Sequence, residues 1–407
     1  MKVNPTKTVN ELVSVLPYVI DTDQSRKIYH AWRVAIIAAR CAQKAARRPI
    51  DCQYIFYAAL LHDIGGVGFP IHIIHYLSRN DKTSRSILLS HPIIGAQIVS
   101  SIPKMNPAGK LILDHHEWIN GQGFPRAKTG AQIPWGAQAI RIADSIDIYL
   151  QSGRIKTLKE LKKKMTPYIQ KEYYREFFSL AMDILSRKGF FAKILSRKSV
   201  PEIFKQVQQE IGLIQVPPKI DAVGKTLEAM AEIIDMKHPF TSGHSMRVSR
   251  YAMAIAMAMG LGHDEVTQIR WAGLLHDIGK LVILRRLLDK PTALTDEEYH
   301  EIQKHAQYTH DIMNMMPSLA DLLPIASAHH EQFDGSGYPR GLKGEQIPLG
   351  ARILGVCDAF DAMTSNRPYR QPLTFEQACE EVKKFSGRQF DPEIVKHALP
   401  LLLTLGF

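Results

Sequence analysis

The clearest chemical signal in the chain is an adjacent histidine and aspartate, His276 and Asp277, which end an apolar run and precede Gly279 and Lys280. An imidazole nitrogen and a carboxylate oxygen both coordinate first-row divalent metals. Neighbouring residues on a helix point about 100° apart, so the two side chains cannot share one helix face. We therefore predict that they bind a metal ion at a helix end. Gly279 is expected to stop that helix. A lone His-Asp pair also recurs by chance, so other residues must decide its meaning.

Five further candidate ligands stand on either side of the pair, and we expect all of them near the ends of helices. They are His244, His305, His329, His330 and Asp358. Two octahedral metals that share a bridging water need about seven nitrogen and oxygen ligands. The set contains no thiolate, which argues against a structural zinc site. Asp277, in the middle of the set, is the predicted bridging carboxylate.

The chain carries this pattern twice. An offset of 214 residues relates His62-Asp63 to His276-Asp277, within matching Leu-His-Asp-Ile-Gly segments. A repeat of this length is a duplicated domain rather than a solenoid unit. The two copies differ at most other positions, which indicates that the ligands form a set. The same offset gives a possible second metal site in the N-terminal copy: His30, His62, Asp63, His91, His115, His116 and Asp144.

The motifs of the C-terminal half resemble those of the HD-GYP family, bacterial cyclic-dinucleotide phosphodiesterases within the HD phosphohydrolases. The resemblance rests on His329-His330-Glu331, on the Asp-Gly-Ser-Gly-Tyr-Pro segment 334–339 and on the Asn-Arg-Pro-Tyr-Arg segment 366–370. It extends from about Asp235 to Pro392. The N-terminal half resembles a degenerate copy of the same domain.

The resemblance implies that the seven C-terminal ligands bind iron or manganese. Some family members place a glutamate four residues before the first histidine to hold a third metal. Here that position is Phe240, which predicts two divalent ions. Lys280 is the implied electrophile, a positive charge that stabilises a pentacoordinate phosphorane. Its alternative is a surface lysine favoured by the dipole at a helix C-terminus.

Substrate contacts are expected from the glycine-rich loop and from the segment after it. Gly337 and Tyr338 lie in that loop, and Tyr338 could stack on a guanine or bond to it. Arg367 and Arg370 suit phosphate recognition, although interhelical salt bridges are an equal alternative. Asp391-Pro392 also matches the family, but an aspartate before a proline is typical of a helix N-cap.

The N-terminal copy lacks these substrate-binding groups. Gly66 replaces the lysine, Phe124 replaces the tyrosine, and Asn120 stands at the position of Asp334. With a constant offset, Gly153 and Lys156 would stand at the positions of the two arginines. We therefore predict that this copy supports, regulates or dimerises the catalytic half.

Helical spacing dominates the chain, and no alternating pattern predicts a strand. The expected fold is all-α, with two tandem helical domains at residues 1–215 and 216–407, divided near the doubled proline of Val216-Pro217-Pro218. No apolar run is long enough to cross a membrane, and no signal peptide is evident. Four cysteines without metal-binding spacing predict a reduced, cytoplasmic protein.

The net charge of +11 is concentrated in one segment, because residues 151–200 hold 13 Lys/Arg against four Asp/Glu. Core-type residues interrupt the charges, which favours a solvated helical face. Acidic partners, nucleic acid or anionic lipid are the alternatives. We expect no nucleic acid and no membrane among the partners. This segment and the glycine-rich loop are candidate contacts for protein partners, and a homodimer is compatible with the duplication.

The predicted function is metal-dependent hydrolysis of a 3′,5′-cyclic dinucleotide to a linear dinucleotide. The resemblance leaves cyclic di-GMP and 3′3′-cyclic GMP-AMP both open as substrates. One alternative is a receptor that binds the dinucleotide or a protein without turnover. Another is hydrolysis of mononucleotides or alarmones, against which the Gly-Tyr-Pro and Arg-Pro-Tyr-Arg segments argue.

Overall fold

The computed structural model describes residues 3–22, 29–69, 82–217, 221–238, 242–365 and 371–404. Regular structure within these ranges is helical, and the only β-type pairings there are three isolated bridges. The all-α prediction is confirmed. No helix in the described ranges is long and apolar enough to cross a membrane.

The chain divides into two compact units, Pro5–Ala222 and Val223–Phe407. The predicted division at residue 215 lies a few residues before the observed one. The physical reason is that side chains of the first helix hold the segment that follows residue 211. Asn10 bonds to both the backbone N–H and C=O of Ile214, and the Thr6 hydroxyl accepts a hydrogen bond of 3.0 Å from the N–H of Val216.

Within the described residues, the N-terminal unit contains ten α-helices, of which α2, α3 and α6 form the centre. They are α1 (Pro5–Thr22), α2 (His30–Lys44), α3 (Pro49–Leu60), α4 (Lys82–Ser101), α5 (Asn106–Leu113), α6 (Trp135–Gln151), α7 (Leu158–Met165), α8 (Arg175–Ser186), α9 (Phe190–Leu195) and α10 (Val200–Ile211). Helix α2 packs against both α3 and α6.

The C-terminal unit repeats this arrangement around three helices, α12, α13 and α17. Its helices are α11 (Ala222–Met236), α12 (His244–Ala258), α13 (His263–Leu275), α14 (Arg285–Leu288), α15 (Asp296–Met313), α16 (Leu323–Ala326), α17 (Leu349–Thr364), α18 (Phe375–Lys384) and α19 (Pro392–Leu402). Helix α12 packs against α13 and α17, and its Val248, Tyr251 and Ile255 are all buried.

The register between the copies changes after α6 and α17. Thr157 and Thr374 occupy the same position, because each opens the next helix with a capping box closed by the residue three positions later. The offset between these threonines is 217 residues, so the C-terminal copy has three extra residues before Thr374. Lys156 therefore matches Leu373, and the equivalence of Lys156 with Arg370 is wrong.

The basic segment 151–200 forms α7, α8 and α9 with their connections. Leu161 and Phe177 are buried, whereas Lys162, Lys163 and Lys164 are exposed on α7. The charges thus lie on the solvent side of amphipathic helices, as the favoured interpretation predicted.

Candidate metal centre

The His-Asp pair of each copy lies in the turn after a helix. Helix α13 ends at Leu275, and a short 3₁₀ turn spans Ile278–Leu281. Gly279 lies inside this turn and does not stop the helix, which corrects the prediction. A Cβ atom there would collide with the carbonyl oxygen of His305, so glycine is required for the turn to approach α15. Gly65 has the same relationship to His91 of α4.

Only some of the ligands lie at helix ends. His244 is the first residue of α12, and His329-His330 follow α16. His305 and Asp358 instead lie within α15 and α17, which corrects the expectation that every ligand is near an end. The centre therefore combines ligands from the middle of two long helices with ligands from the turns that follow other helices. All seven predicted C-terminal ligands are brought together in this way.

Three of the histidines are held in one tautomer by the backbone carbonyl three residues earlier in the chain. The Nδ1 atoms of His276, His305 and His329 lie 2.7–2.8 Å from the carbonyl oxygens of Gly273, Ile302 and Ala326. Because a carbonyl oxygen only accepts, each Nδ1 carries the hydrogen and each Nε2 presents its lone pair. Such hydrogen bonds are the usual means of orienting metal-binding imidazoles.

Asp277 lies between two groups of imidazoles. Its Oδ2 is 3.6 Å from His244 Nε2 and 3.4 Å from His276 Nε2. Its Oδ1 is 3.5 Å from His305 Nε2 and 3.9 Å from His329 Nε2. One carboxylate therefore faces two separate sets of imidazole nitrogens.

The buried donor atoms of this centre fit a metal. Within the described ranges, the Nε2 atoms of His276, His305 and His329 and the Oδ1 of Asp277 are buried without a hydrogen-bond partner. Unpartnered buried lone pairs are costly unless a cation occupies the space between them. We define the first subsite as His244, His276 and Asp358, and the second as His305, His329 and His330, with Asp277 between them.

His244 is oriented by Asp361 and Arg247, two residues without a role predicted from the sequence. Its Nδ1 donates to Asp361 Oδ2 over 2.7 Å, and Arg247 Nε donates to Asp361 Oδ1 over 2.6 Å. Asp361 is nearly inaccessible at 1% exposure. In the N-terminal copy, Asp147 bonds to His30 and Arg33 in the same way. Recurrence of the Arg and Asp at the ligand offset was the available signal.

The electrostatics of the centre keep the ligands ready for a cation. Burial opposes ionisation of Asp277, but Lys280 and His276 outweigh it and hold the pKa of that carboxyl well below its usual range. Burial and the neighbouring His330 lower the pKa of His305 to about 3. Burial also lowers the pKa of His330 to about 4, against the opposing effect of Asp358. Both imidazoles are neutral at neutral pH.

Lys280 lies at the edge of the centre, with its Nζ bonded to Oδ2 of Asp277 and its side chain 22% exposed. The lysine is therefore at the site and not on the outer surface. Tyr338 lies beside His330, with the two ring centroids 4.8 Å apart. Phe124 occupies the same place beside His116, at 4.6 Å, without a hydroxyl group.

The glycine-rich loop is anchored by Glu331, a buried residue that sequence reasoning did not assign. Its carboxylate accepts hydrogen bonds from the backbone N–H groups of Arg340 and Leu342, at 2.8 and 2.9 Å. Gly337 packs directly on the turn that carries the two histidines, where any Cβ would collide with the backbone of Gln332. The position of Tyr338 follows from these contacts.

A cavity of about 200 Å³ opens beside the second subsite, lined by His330, Tyr338, Gly355, Asp358 and Gln389 among others. Arg352 and Asp391 also line it, and Arg352 Nη1 donates to Asp391 Oδ2. Arg352 was missed from the sequence, because an arginine inside a helix carries no motif of its own. Asp391 caps α19 as predicted, accepting from Glu393 N–H over 2.9 Å. Arg367, Arg370 and Phe240 lie outside the described residues.

All seven ligand positions of the N-terminal copy also lie together. Asp63 again faces two sets of imidazoles, with Oδ2 3.4 Å from His62 Nε2 and Oδ1 3.6 Å from His91 Nε2. The surroundings differ, because Arg141 enters this centre from α6. Its Nη1 lies 3.1 Å from both His116 Nδ1 and Asp144 Oδ2.

The family model of the HD domain matches the chain twice, at residues 10–172 and 228–394. The chain belongs to the HD domain family. The two matches fall on the two copies, each of which includes all seven of its ligand positions. Members of this phosphohydrolase family depend on metals, in agreement with the donor set described above.

Curated relatives confirm the resemblance drawn from the motifs. A 3′3′-cGAMP-specific phosphodiesterase 3 of Vibrio cholerae is 32% identical over 71% of this chain and 62% of its own length. A cyclic di-GMP phosphodiesterase of Thermotoga maritima is 34% identical over 60% of this chain and 62% of its own. This chain thus spans less than two thirds of either relative.

A solved structure shares the fold of the whole chain. It is described as a cyclic GMP-AMP specific phosphodiesterase of V. cholerae, and it aligns over 98% of both chains with a TM-score of 0.64. The sequence identity is 22%, so this likeness concerns the fold.

Proposed function

We propose that the C-terminal unit is a metal-dependent phosphodiesterase that hydrolyses a 3′,5′-cyclic dinucleotide to a linear dinucleotide. The observation that carries this proposal is the position of Asp277, whose two oxygens face two sets of imidazole nitrogens. The names of the relatives support the substrate class, and both cyclic di-GMP and cyclic GMP-AMP occur among them.

The predicted cofactors are two divalent ions, iron or manganese. His244, His276 and Asp358 would hold one, His305, His329 and His330 the other, and Asp277 would bridge them. When bound, such ions lower the pKa of a water molecule and neutralise charge on a phosphate. The remaining protein groups then have to bind and orient the substrate.

Lys280 supplies a positive charge at the edge of the centre, where its Nζ can move from Asp277 to a phosphate oxygen. A pre-placed charge of this kind stabilises the extra negative charge of the transition state. Tyr338 retains its hydroxyl hydrogen, because burial raises the pKa of its phenol. It can therefore donate a hydrogen bond or stack on a base while the cavity receives the nucleotide.

Arg352 is the proposed phosphate contact within the cavity. Its Nε is buried without a hydrogen-bond partner among the described residues, while Nη1 is held by Asp391. The bond to Asp391 fixes the orientation of the Arg352 guanidinium, and Nε remains a donor without a partner. A guanidinium pairs well with phosphate oxygens. Arg367 and Arg370 remain predicted contacts from the adjacent segment.

The N-terminal unit is proposed to be non-catalytic and to support or regulate the C-terminal unit. It retains the ligand set, but Gly66 and Phe124 provide neither the lysine charge nor the tyrosine hydroxyl.

The test is turnover of cyclic dinucleotides by the full chain loaded with manganese or, without oxygen, with ferrous iron. Cyclic di-GMP and 3′3′-cyclic GMP-AMP are incubated separately, and the products are separated by chromatography. We expect a linear dinucleotide from at least one of them, and none from the Asp277→Asn variant under the same metal conditions. Tight binding of both compounds without turnover would favour the receptor alternative and overturn the proposal.

A further inference from the structure

Arg141 is a buried arginine with no counterpart in the C-terminal copy, where its position is Gly355. Its guanidinium spans the N-terminal centre. Nη1 directs its two hydrogens at His116 Nδ1 and Asp144 Oδ2, each at 3.1 Å. Nε and Nη2 both donate to Glu172 Oε2, at 3.1 and 2.7 Å.

Glu172 is also specific to the N-terminal copy. Its counterpart in the C-terminal copy is Gln389, as the backbone hydrogen bonds show. Ile119 N–H donates to the carbonyl of Glu172, and the equivalent Phe333 N–H donates to the carbonyl of Gln389. The adjacent bonds, Asn120 to Lys171 and Asp334 to Arg388, keep the same register. A glycine and a glutamine in the C-terminal copy are thus replaced here by a buried ion pair.

The ion pair lies where the C-terminal copy has its cavity. His330, Asp358, Gly355 and Gln389 all line that cavity. Their counterparts are His116, Asp144, Arg141 and Glu172, and in the N-terminal copy these four are bonded to one another. The space that receives a nucleotide in the proposed mechanism is filled by a side chain.

Arg141 also changes what His116 can do. A guanidinium only donates hydrogen bonds, so the Nδ1 of His116 must carry the lone pair that accepts from it. In a neutral imidazole the hydrogen then lies on Nε2, and neither nitrogen remains free to bind a metal. His330 differs, because its Nδ1 faces Asp358 Oδ2 across 3.8 Å and accepts from no arginine of the described ranges.

We propose that Arg141 is a built-in cation of the N-terminal centre, which removes His116 from metal coordination and leaves this copy with one metal ion. That ion would lie with His30, His62 and Asp144. The Oδ1 atom of Asp144 is 3.7 Å from His30 Nε2. The other set keeps His91 and His115 but lacks its third imidazole, and the fixed positive charge opposes a second cation. The inference rests on the metal assignment in the proposed function.

The test is the metal content of the full chain after equilibration against buffered manganese. We expect about three ions per chain in the wild type, given two in the C-terminal centre. The variant Arg141→Gly/Glu172→Gln installs the C-terminal residues at both positions, and it should hold about four. Electron paramagnetic resonance should show a larger signal from exchange-coupled manganese pairs in this variant.

Matched histidine variants test the same point without removing the ion pair. His330→Ala should lose about one ion per chain, whereas His116→Ala should lose none. This comparison decides the question even where the double variant fails to fold, which circular dichroism will reveal. Equal losses from the two alanine variants, or four ions in both the wild type and the double variant, would overturn the inference.

Turnover measured in parallel separates this inference from the proposed function. Four ions in the wild type together with hydrolysis that depends on Asp277 would overturn only the role of Arg141. Three ions without hydrolysis of any cyclic dinucleotide would overturn only the proposed activity.

Discussion

His244 donates its Nδ1 hydrogen to Asp361 across 2.7 Å, and its Nε2 lies 3.6 Å from Oδ2 of Asp277. Arg247 holds the other oxygen of the same carboxylate. The orientation of a predicted ligand therefore depends on a residue outside the predicted ligand set.

Asp361→Asn is expected to weaken metal binding in the first subsite by about tenfold or more. Loss of the hydrogen-bond partner of a metal-binding histidine usually lowers metal affinity by about 10–100-fold. The amide lacks the charge that supports the imidazole and directs an N–H group toward its neighbours. Chelator competition with the full chain would measure the affinity. Asp147→Asn is the matched control in the N-terminal copy and should leave turnover unchanged. Wild-type affinity in Asp361→Asn would exclude this role.

Lys280→Ala should lower turnover by about a hundredfold or more while metal content stays near that of the wild type. The lysine bonds to Asp277 but is not one of the predicted ligands, so its loss removes charge from the transition state and leaves the nitrogen donors intact. Elemental analysis and steady-state kinetics measure the two effects. Lys396→Ala, at an exposed position, is the control. Unchanged turnover would contradict a catalytic role for Lys280 and favour the alternative of a surface lysine.

The two copies should contribute unequally to hydrolysis. Asp63→Asn is expected to leave turnover per chain nearly unchanged, whereas Asp277→Asn should abolish it. Gly66→Lys alone should not create a second active site, since Arg141 fills the space beside the N-terminal centre. Product formation by these three variants under one metal condition is the measurement. Equal losses from the two aspartate variants would show that both centres are needed.

Arg352→Gln should raise KM for the cyclic dinucleotide by about tenfold, with metal content unchanged, because it removes one charge-assisted phosphate contact. Glutamine is the residue that the N-terminal copy has at this position, Gln138. Asp391 loses its partner in this variant but still caps α19, so thermal unfolding should accompany the kinetics. A lower melting temperature with an unchanged KM would indicate that Arg352 has a purely structural role.

The metal-free chain should lose stability as the pH falls from about 6.5 to about 4. Burial lowers the pKa of His91 and His330 to about 4 and that of His305 to about 3. In the unfolded chain these groups take up protons near pH 6.5, so unfolding binds protons throughout this interval and becomes easier. His30 and His244 have raised pKa values and are already protonated in the folded chain, so they oppose this loss near pH 6.5 and stop doing so at lower pH, where the unfolded chain is protonated as well.

The measurement is the melting temperature of chelator-treated protein at pH 6, 5 and 4.5. We expect a fall of about 5 °C or more between the first and last values. Protein saturated with metal at pH 7.5 serves as the reference for the loaded state. A melting temperature that rises on acidification would contradict the assignment of neutral, buried histidines.

The repeated ligands were readable from the sequence because each copy of the domain keeps the same residue types at the same spacing. His276-Asp277 and His62-Asp63 predicted each other, and the offset then selected the remaining members of both sets. Helical periodicity predicted the all-α fold for a similar reason, since the apolar stripe of each helix is a local pattern. The Asp391-Pro392 pair predicted a helix start because capping involves only neighbouring residues.

Contacts between distant segments were decided only by the tertiary structure. Gly279 was expected to end a helix, yet its role is to let the turn approach the backbone of His305, a residue 26 positions later. The equivalence of Lys156 with Arg370 failed because three residues are inserted where no motif marks the change. Arg141 and Arg352 carry no signature, since the meaning of an arginine depends on which carboxylate and which imidazole surround it. Spacing along the chain determined which residues could bind a metal, and packing determined which centre has room for a substrate.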